Sequence, residues 1–226
     1  EAVLADLEVR NVIPLLTGGT GLYVDALLDG FLFPDSSANP DLRAKLQARG
    51  EQDPLGLFAE LQQVDPESAQ KLHPNDLRRV IRALEVYHRT GEPISVLQRK
   101  KGQEIRPYEP LYIGLTRIRE ELYTRINQRV DQMINQGLIS EVEALLKTYP
   151  EQPTALQALG YKEIVWYLQG QLNLDEAIEI LKRDTRRYAK RQLSWFKRNK
   201  KIHWFDYSHQ TPEEIKEAVL AIWYNP

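Results

Sequence analysis

The chain has 226 residues, of which 42% are hydrophobic and 27% charged, with a formal charge of −2 and no cysteine. These figures fit one large domain, or a core with a smaller inserted unit. They exclude disulfides and thiolate metal sites, and no stretch approaches the ~20 consecutive apolar residues of a membrane helix. With a near-neutral total, any nucleic-acid binding has to come from local patches.

The predicted elements, taken in chain order, begin with a helical pattern at Ala2, Val3, Leu4 and Leu7. Because the pattern opens on Glu1 rather than Met, the sequence is expected to be a fragment. The short apolar run Val12 to Leu16, between Asn11 and Gly18, suits a buried parallel strand. Leu22, Tyr23, Ala26 and Leu27 then recur at helical spacing, so the opening reads as strand, tight glycine turn, helix. From about Asn39 to Tyr108 the pattern is helical and rich in loops, without a convincing strand. There, Asp65 with Pro66 starts one helix. Asn75 or Asp76 starts another that runs to about Arg89, with Gly91 as its C-cap. Pro110 to Thr116 is the next strand. Helices follow over about Ile118 to Gln136, Ser140 to Thr148, Tyr161 to Leu168 and Leu174 to Asn199. IHWFD (Ile202 to Asp206) is a short strand, and Thr211, Pro212 and Glu214 form a capping box that opens a last helix.

Three stretches carry candidate chemistry. The first, PLLTGGTGLYVDALLDG from Pro14 to Gly30, looks like a phosphate loop but lacks the lysine of G-x-x-x-x-G-K-[ST], a motif found nowhere in these 226 residues. Its glycines would let a ligand approach the backbone, and a helix N-terminus follows. Thr20 could cap that helix or touch a substrate. The plain alternative is a tight turn.

The second, RIREELYTRINQRVDQMI from Arg117 to Ile134, sets Ile118, Leu122, Ile126, Val130 and Ile134 at four-residue steps. At ~100° per residue, Arg119 falls near the middle of that apolar arc. Arg129 falls inside its edge, and Arg125 lies just outside. Buried guanidinium groups would need anionic partners: core carboxylates, or a phosphate or diphosphate held bidentately. A third reading has the stems along apolar surface with the heads in water.

The third, Lys182 to Lys201, has ten Lys or Arg against one Asp, a local charge of +9 in a chain of total −2. Tyr188, Trp195 and Phe196 are interleaved, a composition able to neutralise phosphates and stack on bases, or simply to form a solvated face. A smaller basic cluster, Arg78, Arg79 and Arg82, opens its helix. The four histidines show no metal-ligand spacing, and His73, before a proline, reads as a turn residue.

Taken together, the glycine stretch, HPNDLRRVIRALEVY with TGEPIS after it, RIREELYTRINQRVDQMI, ALGYKEI and TRRYAKRQLSWFKR resemble, in order and over nearly the whole chain, the bacterial tRNA dimethylallyltransferases. The resemblance implies an α/β fold with a P-loop NTPase-like parallel sheet core, incomplete here, and a mostly helical insertion. Residues 1–40 and 109–226 would be core, and 41–108 the insertion. It implies transfer of the dimethylallyl group from dimethylallyl diphosphate to N6 of adenosine 37, beside the tRNA anticodon, with Mg2+. The enzyme would act in the cytoplasm as a monomer, with the anticodon stem-loop as partner and no membrane. The target base would be flipped into a channel.

Carried onto this sequence, the pattern makes Thr20 and Arg129 the catalytic residues, Thr20 also touching the target nucleotide. Arg119, Arg125 and Arg129 would hold the diphosphate. Arg43, the segment Arg78, Arg79, Val80, Ile81 and Arg82, the segment Gln157, Gly160, Tyr161 and Lys162, and Lys190 with Arg191 would meet tRNA. The family's Walker loop and its aspartate base match no residue of the chain, and neither do Mg2+ ligands, so these 226 residues alone are expected to be inactive. Two rivals stand beside this reading. One is an adenylate isopentenyltransferase, which shares the core but takes a free nucleotide. The other is a non-catalytic RNA-binding fragment.

Overall fold

The computed structural model describes residues 2–28, 39–101, 108–149 and 157–224. They form two compact units, residues 1–110 and 111–226. Asp29 and Gly30, the end of the glycine stretch, lie outside the described residues.

In the first unit the elements are α1 (Ala2–Val9), α2 (Gly21–Leu28), α3 (Pro40–Gln52), α4 (Pro54–Val64), α5 (Pro66–Lys71), α6 (Leu77–Thr90) and α7 (Ile94–Lys101). Three successive helices, α3 to α5, begin the same way: Asn39, Asp53 or Asp65 caps the first turn and proline takes the first helical position. Asp53 and Asp65 each serve two helices. The Asp53 N–H donates to the Arg49 carbonyl while its carboxylate accepts from the Gly56 N–H at 2.8 Å. A Cβ at Gly56 would lie 2.0 Å from the Asp53 carboxylate, so a larger residue there would have to shift the capping side chain. Asp76 caps α6, and Gly91 ends it in the left-handed region.

The core of this unit joins Leu46, Leu57, Leu61, Val80, Ile81 and Leu84 from α3, α4 and α6. Asp65, only 1% exposed, ties α7 onto it. Its two oxygens accept the Ser68 N–H (3.0 Å) and O–H (2.8 Å), and the Ser95 N–H (3.1 Å) and O–H (2.6 Å). Burial alone would raise its pKa, but the Ser95 and Ser68 hydrogen bonds outweigh it and hold the carboxyl below its ordinary value.

The strand expected over Val12 to Leu16 is absent. The segment is irregular, with Val12, Ile13, Leu15 and Leu16 between 45% and 87% exposed. An apolar run becomes a strand only when neighbouring strands complete its hydrogen bonds, and the two described strands pair with each other.

Those strands, β1 (Ile113–Thr116) and β2 (His203–Asp206), lie in the second unit and pair in parallel, Ile113 opposite His203 and Thr116 opposite Asp206. Between them run α8 (Arg119–Asn135), α9 (Leu138–Thr148), α10 (Tyr161–Leu168) and α11 (Leu174–Phe196); α12 (Pro212–Tyr224) follows β2. Val130, Leu138, Val142, Ile164 and Leu181 form this unit's core. The molecule is thus a mostly helical α/β protein with a small parallel sheet. Among the described residues no helix is long and apolar enough to cross a membrane.

Candidate functional site

The second unit holds a cleft of about 680 Å³ between α8, α11 and the loop before α10. Arg125, Gln128, Arg129 and Gln132 line it from α8, with Thr185 and Leu181 from α11 and Leu159 from the loop. Arg125 and Arg129 are one turn apart, so their heads share a face. Both are exposed, and neither has an acidic partner among the described residues.

This geometry corrects the burial argument for the α8 arginines. Arg119, placed by periodicity inside the apolar arc, is exposed; its guanidinium lies over the Tyr123 ring, 5.1 Å from the centroid. Arg119 is also not among the residues lining the cleft. Arg125 is six positions further on, which puts the two about 120° apart around the helix. Along the arc Val130 is 2% exposed and packs into the core with the half-buried Met133 and Ile134; Leu122 and Ile126 are half-buried, and Ile118 at the N-terminal end is 45% exposed. Periodicity marks a face, but only a packed neighbour buries it.

The wall made by α11 is organised by polar contacts to its neighbours. Lys182 reaches Asp131 of α8 at 2.8 Å, and Arg186 donates to Asn127 at 2.6 Å. The hydrogen bond to Asp131 raises the Lys182 pKa above its ordinary value. Asp184, the single acid of the basic run, accepts from Arg183 (3.1 Å), Arg187 (3.4 Å) and Lys162 of α10 (3.4 Å). Burial would raise its pKa, but these cations hold it below the usual value. Lys190 and Arg191 are exposed. Arg191 lies over Tyr188 (5.7 Å) and Arg198 over Trp195 (4.3 Å), contacts that brace guanidinium groups at the surface.

At the mouth of α10, Gly160 has φ +101°, a conformation side chains resist. Its N–H donates to Glu163 Oε2 at 2.9 Å, and Glu163 is fully buried. Tyr161 donates its hydroxyl to Glu141, which raises the Tyr161 pKa. Lys162 sits 3.3 Å from Glu163 Oε1 and near the Trp166 ring. Gln157 is exposed.

In the first unit, Thr20 is exposed and stands at the start of α2, its carbonyl accepting the Tyr23 N–H at 3.0 Å. Its side chain makes no hydrogen bond to a described residue, which leaves the hydroxyl available to a ligand. A Cβ at Gly18 would meet nothing within 4 Å. Arg43 and Arg82 both donate to Glu85 Oε2, at 2.7 and 3.2 Å. Arg78 and Arg79 are exposed, and Arg79 leans on its own cap residue Asp76 at 3.4 Å. Val80 and Ile81 are 0% and 3% exposed core residues. Their side chains face the core, so within residues 78–82 only the arginine side chains reach solvent.

The model of the IPP transferase family matches residues 1–199. The chain belongs to the IPP transferase family. It is 50% identical over 220 residues to the tRNA dimethylallyltransferase of Carboxydothermus hydrogenoformans, covering 97% of this chain and 71% of that protein. It is 54% identical over 224 residues to that of Halothermothrix orenii, covering 97% and 68%. Among solved structures it is similar to the full-length tRNA isopentenylpyrophosphate transferase of Bacillus halodurans (39% identity, TM-score 0.66, covering 99% of this chain and 70% of that one). It is also similar to a eukaryotic dimethylallyltransferase captured acting on tRNA (27% identity, TM-score 0.79, covering 99% and 59%).

Within this family frame, several residues that organise the site escaped the sequence reading. Glu85, Glu163 and Asp184 were given no role, yet each holds a basic residue that the family resemblance implies meets tRNA. Asn127 and Asp131 steer α11 from α8. The signals available were three-residue helical spacings, Arg82 to Glu85, Asp184 to Arg187 and Gly160 to Glu163; Arg43, 42 residues away from Glu85 in sequence, gave none.

Proposed function

We propose that the protein modifies tRNA by transferring the dimethylallyl group of dimethylallyl diphosphate to N6 of adenosine 37, with the arginines of the α8–α11 cleft holding the diphosphate. The observation that carries this reading is the pair Arg125 and Arg129, side by side on the cleft and without acidic partners among the described residues. Two unneutralised guanidinium groups one turn apart fit a diphosphate, which offers several acceptor oxygens to planar forks.

In the reaction, the bond from the allylic carbon to the diphosphate oxygen breaks and a bond from that carbon to N6 forms. N6 gives up a proton, and diphosphate leaves carrying the electron pair. Arg129 and Arg125 stabilise the charge that grows on the leaving group. The proton acceptor is assigned to no residue of this chain. Thr20, with its hydroxyl available at the start of α2, is the reading's contact to the target nucleotide. Arg78, Arg79, Lys190 and Arg191 grip phosphates, and residues 41–108 act as a helical insertion that presents Arg43 and Arg78 to Arg82. The protein works in the cytoplasm as a monomer.

Mg2+ accompanies this reading through the family. Among the described residues no group of three or more His, Asp or Glu could hold a metal. No step above runs through it.

Arg129→Ala tests the assignment. Removing a group that stabilises leaving-group charge should lower kcat/KM for the prenyl donor by about 10²–10³-fold, with tRNA affinity kept. Unchanged donor kinetics would remove Arg129 from the site.

A further inference from the structure

Among the described residues, two buried side-chain oxygens lack a hydrogen bond: Glu85 Oε1 and Glu163 Oε1. Both glutamates lie beneath cations that the sequence assigns to tRNA. They differ in how their cations are held. Lys162 is shared between Glu163 (3.3 Å) and Asp184 (3.4 Å), and Arg183 and Arg187 pair with Asp184, so no two cations meet on Glu163. Glu85 instead carries two arginines on one oxygen, Arg43 from α3 and Arg82 from its own helix α6, and the cluster keeps a net charge of +1.

The geometry of this cluster is that of a support beneath a surface grip. Glu85 is 0% exposed, while the Arg43 and Arg82 side chains keep 51% and 31% of their surface in solvent. Each guanidinium spends one N–H on Oε2, which leaves most of its five donors for another acceptor. Two long side chains that would otherwise wander are fixed with their heads together, and little ordering remains to be done when an anion arrives. Burial would raise the Glu85 pKa, but the hydrogen bonds from Arg43 and Arg82 hold it down, so the support stays charged at neutral pH. Among the described residues, the Glu85 carboxylate hydrogen-bonds to Arg43 and Arg82 and to no other side chain.

We propose that Glu85 is a positioning residue that sets Arg43 and Arg82 as a preassembled pair for a backbone phosphate of the RNA substrate. The proposal rests on the reading that these two arginines face tRNA.

The test uses the full-length protein and unmodified tRNA. Glu85→Gln keeps the shape and removes the charge that holds both forks. The loss of one charge-assisted anchor should weaken tRNA affinity and raise the KM for tRNA about five- to tenfold, with the KM for dimethylallyl diphosphate unchanged. In an Arg43→Ala, Arg82→Ala background the same Glu85→Gln change should cost less than about twofold, because nothing is left to position. A role in folding alone would lower Tm and active fraction without a KM split for tRNA. If Glu85→Gln does not fold, Arg43→Lys replaces it: lysine keeps the charge, lacks the fork, and should give the same loss. Weakened binding in Arg43→Ala, Arg82→Ala but unchanged or tighter binding in Glu85→Gln overturns the proposal and leaves the tRNA reading intact. Unchanged binding in the double arginine variant overturns the tRNA reading of these residues, and the proposal with it.

Discussion

Asp65→Ala should be among the most damaging single changes in the first unit. The carboxylate accepts four hydrogen bonds, two from Ser68 and two from Ser95. The Ser68 N–H is an N-terminal donor of α5, and losing such a cap costs about 1 kcal/mol. Ser95 is 7% exposed, so its N–H and O–H would be stranded, each at about 1–3 kcal/mol. Together these losses predict about 3–7 kcal/mol, or a Tm lower by roughly 6–28 °C for a chain of this size. Urea unfolding at pH 7 followed by circular dichroism measures the gap to wild type. A second arm fixes the cause. The folded-state pKa of Asp65 lies below its ordinary value, so its contribution is fully present above the unfolded value of ~3.9 and is lost as pH falls through the folded value. The gap between wild type and Asp65→Ala should therefore narrow below about pH 4. A gap under about 1 kcal/mol at pH 7, or one that stays constant into acid, would refute the reasoning.

Two further outcomes follow from the second unit. Gly160→Ala forces a side chain into φ +101° and should cost about 1–2 kcal/mol while lowering kcat/KM for tRNA, because the loop bearing Leu159 lines the cleft; unfolding and steady-state kinetics on the same variant check both. Lys190→Ala combined with Arg191→Ala should weaken binding of any tRNA equally and reduce the slope of log K against log salt by about 1.4–1.8. A preserved slope would place these two cations away from phosphate.

The parts of the fold legible in the sequence were those written locally. Asp65 with Pro66, the Asp76 cap, Gly91 and the Thr211–Glu214 box announced helix ends, because a cap and its donor lie within one turn. IHWFD and Pro110 to Thr116 announced strands by apolar content. Val12 to Leu16 had the same content and stayed irregular, since a strand is a property of its partner and no sequence window contains the partner. The candidate site divides in the same way. Arg125 and Arg129 were legible as a pair because four residues make one turn. Their exposure was not legible, because it depends on where α9 and α11 stop covering α8. The burial of Val80 and Ile81, beside Arg79 and Arg82 in one segment, was not legible from adjacency, because neighbouring residues of a helix point to different faces. Glu85 beneath Arg43 was invisible for a simpler reason: the contact spans 42 residues and two helices.

The central claim is that this protein prenylates an adenine in tRNA. Incubation of the full-length protein with isotope-labelled dimethylallyl diphosphate and unmodified tRNA, followed by nuclease digestion and mass spectrometry, tests it most directly. The account predicts label on N6 of the adenosine beside the anticodon, with free AMP neither labelled nor competing. Label on AMP in preference to tRNA, or tRNA bound but unlabelled, would contradict it.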